Sequence, residues 1–165
     1  MLALGANLGD REQTLRSAIA DLDATAGIRM QKVSRFVETP ALRVDGVDES
    51  APRYLNAVAL VRTTLEPLDL LETANRIEDA HGRVRETRWG DRTLDIDLID
   101  VDGRTLQSER LTLPHPRAAD RGFVLVPWLD ADPQAVLAGH GPVARLVADT
   151  SDTVEWYLPE EGDAS

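Results

Sequence analysis

Nine residues, Thr93 to Val101, read T-L-D-I-D-L-I-D-V, and their alternation constrains the fold more than any other stretch of the chain. Leu94, Ile96 and Leu98 alternate with Asp95 and Asp97 in the period of two that belongs to a strand. Both carboxylates therefore face one way and the aliphatic side chains the other. Same-face side chains of a strand lie ~6.5–7 Å apart, so the two acids can converge on one hard cation or bracket a pair. Like charges at that spacing repel, which gives a divalent cation a purpose there. Magnesium carrying a nucleotide's phosphates fits, because it takes one or two protein carboxylates and completes its shell with substrate oxygens and water. The plain alternative is a half-exposed strand with two solvated acids, and for this pair alone it is the commoner case.

The segment directly upstream tips the balance. Arg83, Arg85, Arg88 and Arg92 crowd into ten residues of a chain whose net charge is -11. Guanidinium forks bind phosphate oxygens bidentately, so such local cationic density in an acidic protein suits a polyanionic ligand. Trp89 and Gly90 sit among these charges, where a large aromatic has more use as a ligand wall than as core.

Composition narrows the class. A chain of 165 residues predicts one domain, here 1–158, followed by an acidic, disordered tail at 159–165. The absence of cysteine excludes disulfides and agrees with a cytoplasmic protein. No apolar run approaches the ~20 residues of a membrane span. A pI near 4.6 argues against a nucleic-acid surface, which needs basic patches spread over a face. The reading is a soluble monomer with small-molecule partners, neither nucleic acid nor membrane.

Taken in order, Leu2 to Leu4 end a first strand and Gly5 to Gly9 turn from it. That glycine loop lacks the phosphate-binding patterns and reads as a tight turn. Asp10 with Gln13 resembles a capping box ahead of a helix over 11–24. A second strand over 28–38 is strongest at Val33 to Val37, and Thr39-Pro40 ends it. Residues 41–53 read as an exposed loop with the character of a lid. Tyr54 to Thr63 form a third strand, with Leu55, Ala57, Ala59 and Val61 on one face and Tyr54 and Asn56 on the other. Pro67 opens a second helix ending near Gly82, on which Glu78 reads as an exposed acid. After the D-x-D strand, Asp102-Gly103 signals a hairpin with Arg104 to Leu106 returning. His115 lies between two prolines that hold its backbone extended. A helical turn at 117–121, an apolar core run over 124–129 and a last helix over 142–149 complete the chain.

The run R-W-G-D-R-T-L-D-I-D-L-I closely resembles the signature of the 6-hydroxymethyl-7,8-dihydropterin pyrophosphokinase family. L-A-L-G-A-N-L-G-D, E-T-P-A-L, Y-L-N-A, R-L-T-L-P-H-P and R-G-F-V-L resemble that family's other motifs, in the same order, as far as about Pro133. The order strand, helix, strand, strand, helix, strand points to an α+β fold, a ferredoxin-like β-α-β-β-α-β sandwich with an antiparallel sheet and helices on one face, plus a C-terminal hairpin and helix extension. The resemblance implies two Mg2+ ions on Asp95 and Asp97, with ATP as co-substrate. Arg83, Arg85 and Arg92 would close on the β- and γ-phosphates, Arg83, Arg92 and Asp97 acting in catalysis. Asn75, Glu78, Arg88, Trp89, Arg110, Thr112, His115 and Arg121 would complete the ATP site. The pterin would lie between Trp89 and Phe123, beside Thr39, Pro40, Leu42, Tyr54, Asn56 and Asp95. The implied reaction moves the terminal diphosphate of ATP to the pterin's hydroxymethyl oxygen and releases AMP.

Two rivals use parts of the same pattern. A two-metal nuclease could employ such strand carboxylates, but needs a basic track that this chain lacks. A ligand-sensing regulatory domain could share the fold, but has no use for D-x-D beside an arginine cluster.

Overall fold

The computed structural model describes residues 1–43, 45–82 and 93–160, without the side chains of Leu42 and Arg43. Arg83, Arg85, Arg88, Trp89 and Arg92, expected at the phosphates and the pterin, lie outside the described residues.

The strands are β1 (Leu2–Ala6), β2 (Ile28–Val33), β3 (Val37–Thr39), β4 (Ala41–Arg43), β5 (Gly46–Asp48), β6 (Tyr54–Thr63), β7 (Asp95–Leu98), β8 (Leu106–Gln107), β9 (Thr112–Leu113), β10 (Val136–Leu137), β11 (Gly141–Pro142) and β12 (Glu155–Trp156). The helices are α1 (Arg11–Asp23), α2 (Pro67–Ala80), α3 (Gly122–Ala131) and α4 (Val143–Asp149), with a 3-10 turn at Ala118–Asp120. The main sheet runs β12-β3-β6-β1-β7, with β2 also beside β6, and every pairing in it is antiparallel.

The strand periodicity sorts the core into two layers. Leu2, Leu4, Ala6, Leu55, Ala57, Ala59, Ile96 and Leu98 pack with Leu15, Ala18 and Leu22 of α1 and Leu70, Ala74 and Ile77 of α2. On the opposite face Ala3 and Val58 pack with Val124, Leu125 and Trp128 of α3 and Val143 of α4. Helices thus cover both faces rather than one, because the apolar run after Phe123 forms a helix apolar on nearly every side, which must itself be buried.

Several expected boundaries move. β1 continues through Gly5 and Ala6, since both residues pair with β6. The expected second strand is interrupted at 34–36, inside the stretch judged strongest. There the Ser34 N–H still donates to Val58 O at 2.9 Å, but the Ser34 hydroxyl accepts the Val58 N–H at 2.9 Å and Asp130 accepts the Arg35 N–H at 2.9 Å, so side chains take over part of the ladder. The expected lid holds a short ladder, β4 with β5. The Asp10 carboxyl accepts the Gln13 N–H at 3.0 Å, but the Gln13 amide donates to Ser17, so only half of the capping box forms. Asp102 (φ 51) and Gly103 (φ 66) make the expected turn, yet the returning segment pairs β8 with β9 instead of β7.

Candidate active site

The site is built on the face of the sheet where β1 carries its smallest residues. Register places Asp95 opposite Gly5 and Gly5 opposite Asn56, so the three form one row across β7, β1 and β6. The next row runs Asp97, Ala3, Val58. Gly5 is required here: a Cβ on it would stand 2.7 Å from Asn56 Oδ1. The Asn56 amide, 5% exposed, therefore lies over β1, and its Nδ2 donates to Thr39 Oγ1 at 3.2 Å. This leaves an amide, a hydroxyl and a half-buried carboxyl side by side above a floor with almost no side chain, a set able to exchange hydrogen bonds with a flat heterocycle.

Asp95 and Asp97 are both half-buried, flanked by buried Leu94, Ile96 and Leu98 as the alternation requires. Among the described residues no group of three or more His, Cys, Asp or Glu side chains gathers to hold a metal. Two carboxylates are nonetheless the donor set that suits magnesium, which leaves most of its shell to phosphate oxygens and water. Arg121 stands 3.8 Å from Asp97 through Nη1, and its guanidinium lies over the Phe123 ring at 5.4 Å.

Next to the acidic face opens a cleft of about 250 Å³, lined in part by Asp97, Arg110, Thr112, His115 and Pro116. β9 delivers Thr112, and the cis peptide bond Leu113–Pro114 follows. The His115 N–H donates to Ile99 O at 2.8 Å, which ties this segment to the end of β7. His115 Nδ1 accepts the Arg117 N–H at 3.1 Å, so in the neutral ring Nε2 carries the proton. Burial, reinforced by the Arg121 guanidinium and opposed by Asp95, lowers this imidazole from its ordinary 6.5 to about 4. The ring is a neutral donor at physiological pH. Arg110 reaches Glu72 at 3.2 Å on the rim.

Glu78 departs from its reading as an exposed acid. It is 1% exposed, and its Oε1 accepts the Ile96 N–H, between the two aspartates, at 2.7 Å. Its place one residue after buried Ile77 turns it toward the outer edge of β7. Neither it nor half-buried Asn75 is among the residues lining the cleft. Pro40 and Tyr54 are half-buried beside Thr39, whereas the Leu42 side chain lies outside the described residues. Gly5 was missed as a site residue because the run L-G-A reads equally well as a turn.

A family model described as 7,8-dihydro-6-hydroxymethylpterin-pyrophosphokinase (HPPK) matches residues 1–133. The 2-amino-4-hydroxy-6-hydroxymethyldihydropteridine pyrophosphokinase of Bacillus subtilis is 42% identical over 126 residues, 76% of this chain and 73% of that protein. The protein of the same name from Methylorubrum extorquens is 42% identical over 139 residues, 84% of this chain and 85% of the other. Among solved structures, an HPPK-DHPS in complex with substrates superposes with a TM-score of 0.69 at 12% identity, over 89% of this chain and 42% of that one. A Plasmodium falciparum HPPK-DHPS gives 0.68 at 14% identity, over 89% and 44%. The chain thus spans less than half of those longer proteins, whose likeness speaks for the fold. The family match over most of the chain and the two bacterial relatives lead to one conclusion: the chain belongs to the HPPK family.

Proposed function

We propose that the protein transfers the terminal diphosphate of ATP to the hydroxymethyl oxygen of 6-hydroxymethyl-7,8-dihydropterin, giving the pterin diphosphate and AMP in folate biosynthesis. One observation supports this most directly. The row Asp95, Gly5, Asn56, suited to a flat heterocycle, adjoins a cleft where Asp97, Arg110, Thr112 and His115 converge.

In this reading Asn56, Thr39, Pro40, Leu42, Tyr54, Trp89, Asp95 and Phe123 hold the pterin. Asn75, Glu78, Arg88, Trp89, Arg110, Thr112, His115 and Arg121 hold the nucleotide, with Arg83, Arg85 and Arg92 on its β- and γ-phosphates. His115 offers Nε2–H to a nucleotide oxygen. Arg121 orients the Asp97 carboxyl, a group within the site able to take the proton of the attacking hydroxyl without serving as a dedicated base. Asp95 and Asp97 are the ligands for two Mg2+ ions, which when bound neutralise triphosphate charge. Phosphoryl-type transfer needs mainly positioning and charge neutralisation, so no dedicated base is required. Closure of residues 41–53 and 83–91 would exclude water and prevent wasteful ATP hydrolysis.

The remaining parts of the reading are a single, monomeric, cytoplasmic domain over 1–158 with ferredoxin-like topology. Incubation with ATP, magnesium and the pterin alcohol is expected to release AMP in step with pterin diphosphate. Absence of AMP above a control without pterin would remove the reading. Asp97→Ala should abolish the product, and near-full turnover in that variant would remove the metal assignment.

A further inference from the structure

Helix α3 begins without a cap of its own, because the N-cap residue Arg121 makes no side-chain hydrogen bond to the first turn. The cap comes from the far end of the chain. Asp152 Oδ2 accepts the Gly122 N–H at 2.7 Å, thirty residues away. The fit is close: a Cβ on Gly122 would stand 2.8 Å from Asp152 Cβ and 3.0 Å from Val154 Cγ2. A carboxyl at this position meets both an otherwise orphaned N–H and the positive end of the helix.

The segment carrying Asp152 then crosses to the opposite wall of the site. Glu155 and Trp156 pair with Glu38 and Val37 of β3, and the Tyr157 N–H donates to Phe36 O at 2.9 Å. β3 ends at Thr39, the partner of the Asn56 amide. One short segment, beyond the residue 133 where the family match ends, therefore fastens the start of α3 and the strand that steadies Asn56.

We propose that Asp152 is a positioning residue for the pterin wall. Its bond to Gly122 fixes the first turn of α3, which holds Arg121 at Asp97 and keeps Phe123 beneath the Arg121 guanidinium. The inference rests on the functional reading above, in which Phe123 stacks on the pterin.

The test measures pterin affinity of the folded protein by titration, and kcat with the two KM values, for the full-length chain and the variants D152A and D152N. Asparagine keeps an oxygen that accepts the Gly122 N–H, whereas alanine does not. D152A is expected to weaken pterin binding by roughly five- to twentyfold, the scale of one charge-assisted hydrogen bond acting at second hand, with D152N recovering most of it. A purely structural role would lower melting temperature and active fraction without shifting the affinity of the protein that remains folded. If D152A does not fold, D152E takes its place under the same criterion, since its longer arm misplaces the carboxyl. Wild-type protein that binds pterin beside a variant within about twofold of it overturns the inference alone. Wild-type protein that binds no pterin overturns the functional reading as well.

Discussion

Glu78 Oε1 receives the Ile96 N–H at 2.7 Å, so a helix side chain fastens the strand at the one residue that separates Asp95 from Asp97. Among the described residues β7 is the last strand of the main sheet, with no further strand on its outer side. Leaving a buried donor unmet costs about 1–3 kcal/mol. Glu78→Ala should therefore lower stability by roughly that amount plus a cavity contribution, seen as a drop of several degrees in Tm. Glu78→Gln keeps an oxygen acceptor and should retain most of the stability. Equal melting temperatures for the two variants would refute the anchoring role.

Gly5→Ala separates stability from function. The atom its methyl would meet, Asn56 Oδ1 at 2.7 Å, is the end of a side chain that can swing aside, so the fold should lose no more than ~1.5 kcal/mol. The amide would then leave Thr39 and the floor of the site. Pterin affinity is expected to fall by about tenfold or more, the effect of one or two misplaced hydrogen bonds, with ATP affinity little changed. Calorimetric titration with each substrate in turn reads the difference.

His115 supplies a pH signature. In the ligand-free protein its ring should titrate near pH 4 rather than 6.5, as followed by imidazole proton resonances. Between those values the unfolded chain holds the proton and the folded one does not, so stability from this residue falls as pH drops through that window. It is fully retained above pH 6.5. His115→Gln should flatten that part of the stability profile, and an unchanged profile would contradict the burial of the ring.

Removal of divalent cations should stop product formation and leave the fold intact. The β1, β6 and β7 core is held by apolar packing, and the two acids are half-buried at its surface. A chelator is expected to abolish AMP release, which added Mg2+ restores, with circular dichroism unchanged throughout. Persisting turnover in chelator would sink the assignment of Asp95 and Asp97 as metal ligands.

Much of the scaffold was legible because its elements repeat one pattern. Tyr54 to Thr63 is an unbroken strand-forming run and is β6 to the residue, and α1 and α2 end within a residue or two of their predicted limits. Elements set by single distant contacts were not legible. β12 is two exposed residues whose only signal is the partner it meets. The break at 34–36 follows from the Ser34 hydroxyl bonding Val58 in place of a backbone group, which no periodicity encodes. The shared face of the acids at 95 and 97, between buried Leu94, Ile96 and Leu98, was legible from alternation. Glu78 was misjudged because burial of a carboxyl becomes intelligible only once the facing N–H is known.

The gap between β2 and β3 has an operational consequence. Both segments hang on the same edge of β6, yet their hydrogen bonds to it are separate sets. Ser34 bridges the two sets, its N–H donating to Val58 O and its hydroxyl accepting the Val58 N–H, so a load on the three-residue strand ending in Thr39 passes to the middle of β6 through one serine.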